Sequence, residues 1–171
     1  MKTAHLIWML LALSMNGLGQ ERSTPDRGAF NLRLFVNDSN FYETDIAPGP
    51  YFVNEGAIQI YPGEEVFISA KLKNGELRDM HVVSSPKDTT KVIRVKLWQT
   101  ANGRTHEQMM LRITNPFDGE LHYQAAMYLL EHKQWAETST IPVRAGLSAY
   151  ETWSDIIVTM ALSDWKVTSV R

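Results

Sequence analysis

The sequence predicts an all-β fold, an antiparallel β-sandwich of eight or nine strands. Three observations carry that expectation. Apolar and polar residues alternate with period two in one segment after another. Turn signals such as Asn74-Gly75 and Asn102-Gly103 separate the segments at intervals of about 8–15 residues. No long amphipathic helical stripe interrupts them.

The elements follow in order. Residues 1–19 have the three-part plan of a secretory signal peptide. Lys2 is the lone charge, Leu6–Leu13 is an unbroken apolar run, and Gly17 and Gly19 stand before a cut at Gln20. The run holds eight residues, against the ~20 that a permanent membrane helix needs. Residues 20–28 (QERSTPDRG) read as a flexible polar lead-in to one domain over residues 29–171. Phe30, Leu32, Leu34 and Val36 form one face of a first strand, which ends in the Asn37–Asn40 turn. Ala47-Pro48-Gly49-Pro50 is a rigid loop. Ala57–Tyr61 is a short strand, and Val66, Ile68, Ala70 and Leu72 lead into Asn74-Gly75. Val82-Val83 is a short strand before a Ser-Pro break. Ile93, Val95 and Leu97 face inward, with Arg94, Lys96 and Trp98 on the opposite side. Met109, Leu111 and Ile113 make the next apolar face.

Leu121–Leu130 contains good helix formers, but turn residues on both sides favour a strand. Its inward set is Leu121, Tyr123, Ala125, Met127 and Leu129, and its expected hairpin partner is Thr138–Val143. Pro142 marks an edge. Ala145–Trp153 reads as a loop or helical turn. Ile156, Val158, Met160 and Leu162 line the last strand. From Glu64 to Val143 this layout resembles an immunoglobulin-type sandwich. The chain has no Cys, so it lacks the Cys…Trp…Cys signature, and the resemblance is one of architecture, which implies no function.

The absence of Cys excludes thiol catalysis, thiolate metal sites and disulfide exchange. A mature chain of this size buries enough apolar surface to hold without disulfides. Removing Lys2 from the 17 basic residues leaves 16 against 19 acidic ones, a net charge of −3. The charges are scattered, which gives no electrostatic footprint for nucleic acid or an anionic membrane.

No local motif for chemistry stands out. His81, His106, His122 and His132 lack the close spacing of a preformed metal site. There is no Gly-x-Ser-x-Gly turn. The acidic sets Glu64-Glu65, Glu43 with Asp45, and Glu151 with Asp155 read as solvated charge at strand edges and loops. No calcium loop is spelled out, and no cofactor motif is present. Asn37-Asp38-Ser39 fits a glycosylation sequon.

The candidate surface is aromatic. Trp98 falls opposite an apolar face, and Tyr150 and Trp153 sit in the expected loop. Such rings serve as sugar platforms or interface anchors, or else plug a core. The sequence therefore leads to an expectation of a non-enzymatic, exported module, periplasmic or secreted and soluble after cleavage near Gly19. Its expected partner is another envelope or extracellular protein, with no nucleic acid and no integral membrane segment. The alternative is a glycan-binding module that uses surface tryptophans.

Overall fold

The computed structural model describes residues 26–169, apart from 55 and 85. The signal-peptide segment 1–19 lies outside the described residues. Twelve strands are found among the described residues: β1 (Phe30–Asn37), β2 (Asn40–Ile46), β3 (Phe52–Asn54), β4 (Ala57–Ile60), β5 (Glu65–Lys73), β6 (Glu76–Val82), β7 (Ile93–Asn102), β8 (Thr105–Thr114), β9 (Glu120–Leu129), β10 (Gln134–Thr138), β11 (Ser148–Trp153) and β12 (Ile157–Thr168). One 3₁₀ turn, Thr89–Lys91, is the sole helical piece among them. The described residues are all-β with antiparallel pairing, as the alternation predicts, and no helix among them is long and apolar enough to cross a membrane.

The strand count exceeds the expected eight or nine. The additional strands include β2, which is acidic and half-exposed, and β3, which is only three residues long. Two further corrections concern the C-terminal half. Ala145–Trp153 is a turn only over its first three residues, and Ser148–Trp153 is a strand paired with β8. The partner of β9 is Gln134–Thr138 rather than Thr138–Val143, and Val143 contributes only an isolated bridge to Leu121.

The hairpins form where turn chemistry dictates. Asn74 and Gly75 both take positive φ, 54° and 80°, between paired Lys73 and Glu76. This two-residue turn matches the twist of its flanking strands. In the β1–β2 turn the Asn37 side-chain oxygen accepts from the backbone N–H groups of Ser39 and Asn40, each at 3.0 Å.

Hydrogen-bonded neighbours run β10-β9-β12-β6-β5-β7-β8-β11, with β4 joined to β12 and β3 joined to β4. The main core takes inward residues from both halves of this path: Ile68, Val95, Leu97, Leu111 and Ile113 from one, Ile58, Leu121, Met127, Met160 and Leu162 from the other. The β1–β2 hairpin covers a second, smaller core. Leu32 and Leu34 pack there with Val158, Tyr128 and Ile156.

Two strands change apolar phase part-way, and each does so at a bulge. In β12 the inward residues are Met160 and Leu162, then Trp165 and Val167. The register shifts between Ser163 and Lys166, and Asp164 takes φ 52°. The inserted residue moves the following side chains to the core face. In β6 the same device, with Asp79 at φ 53°, separates Leu77 from Met80 and Val82.

Arg27 fastens the start of the described chain. It forms a backbone bridge with Gly49, and its side chain is 5% exposed. Its Nε donates to Glu64 Oε1 at 2.7 Å and its Nη2 to the Gln59 carbonyl at 2.7 Å. The guanidinium also lies 4.6 and 4.7 Å from the Tyr51 and Tyr61 ring centroids. This pocket raises the Tyr51 hydroxyl above its ordinary pKa, through burial first and the Glu64 charge second.

Candidate binding face on β7, β8 and β11

The registers of β7–β8 and β8–β11 place nine side chains in three rows on one side of the sheet. Arg94, Thr114 and Ser148 form the first row, Lys96, Arg112 and Tyr150 the second, and Trp98, Met110 and Thr152 the third. Alternation explains the set. The residues between them, including Val95, Leu97, Leu111 and Ile113, are buried on the other side. Adjacent strands lie about 4.8 Å apart and rows about 6.7 Å apart, so the platform measures roughly 10 by 13 Å.

Tyr150 is the most open ring of this face, at 54% exposed. Trp98 is half-buried, and the Lys96 ammonium sits 5.6 Å from its ring centroid. Glu65, next to Lys96 on β5, serves two guanidiniums through one oxygen. Its Oε1 accepts from Arg94 Nε and from Arg112 Nη2, each at 2.7 Å. The hydrogen bond from Arg94 holds the Glu65 carboxyl below its ordinary pKa, and the charges of Arg94, Lys96 and Arg112 add to this. The Glu65 bond in turn raises Arg94. Arg112 Nε is buried, with no hydrogen-bond partner among the described residues. The Thr114 and Ser148 hydroxyls share a 2.7 Å hydrogen bond beside Arg94.

The structure thus brings Trp98 and Tyr150 to one face, separated by the β8 column. Trp153 goes to the other side of β11, where it packs against the main core and its Nε1 donates to Thr138 Oγ1 at 3.2 Å. Arg94 and Arg112 carry no site assignment from the sequence, and Glu65, expected as solvated charge, bonds both of their guanidiniums. Their signal lay in the same alternation that singled out Trp98: Arg94 and Lys96 precede it on the outward side, and Met110, Arg112 and Thr114 repeat the pattern on β8.

The inner side of β11 carries a buried carboxylate. Glu151 is 8% exposed, which corrects its reading as solvated charge, whereas Asp155 is exposed as expected. It accepts from the Tyr123 hydroxyl and, at 3.2 Å, from the Ile141 N–H. Tyr123 also stacks on Trp165 at 5.4 Å. Burial, then the Glu151 hydrogen bond and charge, push the Tyr123 hydroxyl well above its ordinary pKa. Glu64, likewise expected in solvent, is held by Arg27 as described above.

The histidines act mainly as ties. His106 Nε2 donates to the Ser154 carbonyl at 3.0 Å, so its Nδ1 accepts from Gln99 Nε2 at 2.9 Å. Gln99 in turn bonds both the N–H and the carbonyl of Phe35, which fastens β1 to β7. Glu131, His132 and Asp155 bring one ligand atom each to within 4.8 Å of one another, and all three are exposed. Two clefts, ≈ 520 and ≈ 570 Å³, open beside Leu77 and Met80 of β6, away from the face.

Comparisons with protein-family models, curated proteins and solved structures found no match to this chain. The functional reading therefore rests on the geometry alone.

Proposed function

We propose that the protein is an exported, non-enzymatic β-sandwich module that binds another protein of the cell envelope or extracellular space through the outward face of β7, β8 and β11. One observation carries the reading. One sheet face presents Trp98, Tyr150, Met110, Arg94 and Arg112 together. These are the residue types enriched where proteins meet proteins. The sandwich arrangement is supported by a core fed from both halves of the strand path, and by the Trp153–Thr138 bond that links its two end strands. Export is supported by the plan of residues 1–19, and N-terminal sequencing of the exported protein should begin at Gln20.

The test of binding uses the purified mature protein against an envelope fraction of its own cells. The wild type retains a partner that Tyr150→Ala loses, while both proteins give the same circular dichroism and urea midpoint. Retention of the same proteins by both, or of none by either, would overturn the reading. The exposed Tyr150 ring also suits a sugar platform. A glycan array with hits that vanish in Tyr150→Ala would shift the conclusion to a glycan-binding module.

A further inference from the structure

We infer that the ligand of this face is an acidic segment of a partner protein, whose carboxylates are held by Arg94, Arg112 and Lys96 beside Tyr150. The inference rests on the docking-face reading above and adds the chemistry of the partner.

Charge is the first argument. The face carries Arg94, Lys96 and Arg112 against the single carboxylate of Glu65, a local excess of two positive charges. The chain as a whole is negative, at −2. The patch thus stands against its own background, and a partner of complementary sign is steered to it.

Donor arithmetic is the second. Each guanidinium offers five N–H donors. Glu65 Oε1 takes one from each, through Arg94 Nε and Arg112 Nη2, which leaves further N–H groups on both guanidiniums. The remaining forks are shaped for carboxylates, which guanidiniums bind in pairs of parallel hydrogen bonds.

Geometry selects an extended peptide over a sugar. Arg94 and Lys96 stand two residues apart on β7, about 6.7 Å along the strand. Alternate side chains of an extended acidic segment repeat at that same spacing, so successive carboxylates meet successive cations. Of the two rings on the face, Trp98 is already engaged by Lys96 at 5.6 Å, which leaves Tyr150 alone for sugar stacking, while the cations line up for a peptide.

The test measures binding of fluorescently labelled poly-L-glutamate to the mature protein by anisotropy at low salt, with polygalacturonate as the acidic-sugar counterpart. Arg94→Ala should weaken poly-L-glutamate binding about tenfold, the loss of one charge-assisted contact. Glu65→Gln should strengthen it several-fold, because a competing internal carboxylate is neutralised. A merely structural role for Glu65 would not produce that gain. Lys166→Ala, exposed on β12, should leave binding unchanged. Urea midpoints confirm that each variant is folded.

The inference is overturned if poly-L-glutamate does not bind, if Arg94→Ala and Glu65→Gln leave binding unaltered, or if polygalacturonate binds more tightly with the same pattern of variants. The two readings fail separately. An envelope protein captured by the wild type and lost in Tyr150→Ala, with no poly-L-glutamate binding, keeps the docking face and removes its acidic partner. Absence of any captured partner removes the docking face itself.

Discussion

Tyr123→Phe isolates the buried carboxylate at the seam between β9 and β11. The substitution deletes the hydroxyl that donates to Glu151 and leaves the ring stacked on Trp165. A hydrogen bond to a buried charged group contributes about 2 kcal/mol, so the variant should be less stable by that amount at pH 7. The pH dependence supplies a second, independent number. Folding raises the Tyr123 hydroxyl above its ordinary 10.0. Above that pH the unfolded chain releases this proton while the folded chain keeps it. The contribution is therefore complete below pH 10 and is lost as pH rises, by up to about 1.4 kcal/mol per pH unit. Phenylalanine has no such proton. Urea unfolding followed by Trp fluorescence between pH 7 and 11 should show two stability curves that run parallel to about pH 9 and then converge. The shared effects of Tyr51 and the other titrating groups cancel in the difference. A constant gap through pH 11, or equal stability at pH 7, would refute the account of Glu151 as a carboxylate held by this hydroxyl.

Three further variants have expected outcomes. Arg27→Ala leaves Glu64, 11% exposed, without its cation, and should cost about 3 kcal/mol in urea unfolding, as broken buried pairs do. Amide exchange at Gly49, whose N–H donates to Arg27, should accelerate in the same variant. Asn115→Ala removes an amide that donates to the Gly119 and Val143 carbonyls at 2.7 and 2.8 Å and accepts from the Phe117 N–H at 2.9 Å. The Gly119 carbonyl and the Phe117 N–H lose this partner, the Val143 carbonyl keeps only the Leu121 N–H, and thermal unfolding should show a loss of about 2–4 kcal/mol. Glu65→Gln should narrow the acid-stability difference. The lowered Glu65 carboxyl stabilises the fold above its ordinary 4.5, and that share is lost as pH falls below it. The pair is solvent-screened, so the difference between wild type and variant should stay under about 1 kcal/mol across pH 2–6.

Much of the architecture is legible in the sequence because local chemistry and the tertiary fold agree. Asn74-Gly75 demands a two-residue turn, and the alternating Leu121, Tyr123, Ala125, Met127 and Leu129 all lie inward on β9. The rest is hidden where a distant partner overrides the local pattern. In β11 the inward positions are Ala149, Glu151 and Trp153, and a charge in the middle masks the alternation. Only Tyr123 and Ile141, 28 and 10 residues away, make Glu151 a core residue. In β6 and β12 the alternation slips phase, and a single residue in the left-handed region at Asp79 or Asp164 restores it. The candidate face is half legible. The outward side of β7 reads directly from Arg94, Lys96 and Trp98, but Tyr150 joins it only through the β8–β11 register.

The side-chain link between β10 and β11 also bears on the order in which the chain assembles. These strands end opposite sides of the hydrogen-bonded path, yet Thr138 and Trp153 are only 15 residues apart, whereas the Thr159 bond to Ile60 spans 99. Closing the shorter loop forfeits about 1.7 kcal/mol less chain entropy. Thr138, Ile141, Glu151 and Trp153 can therefore meet early, bringing the C-terminal strands to their final spacing before β4 arrives from the far end of the chain. A kinetic nucleus in this region would make the protein fold from its C-terminal half inward, with β12 docking onto β4 as the late step.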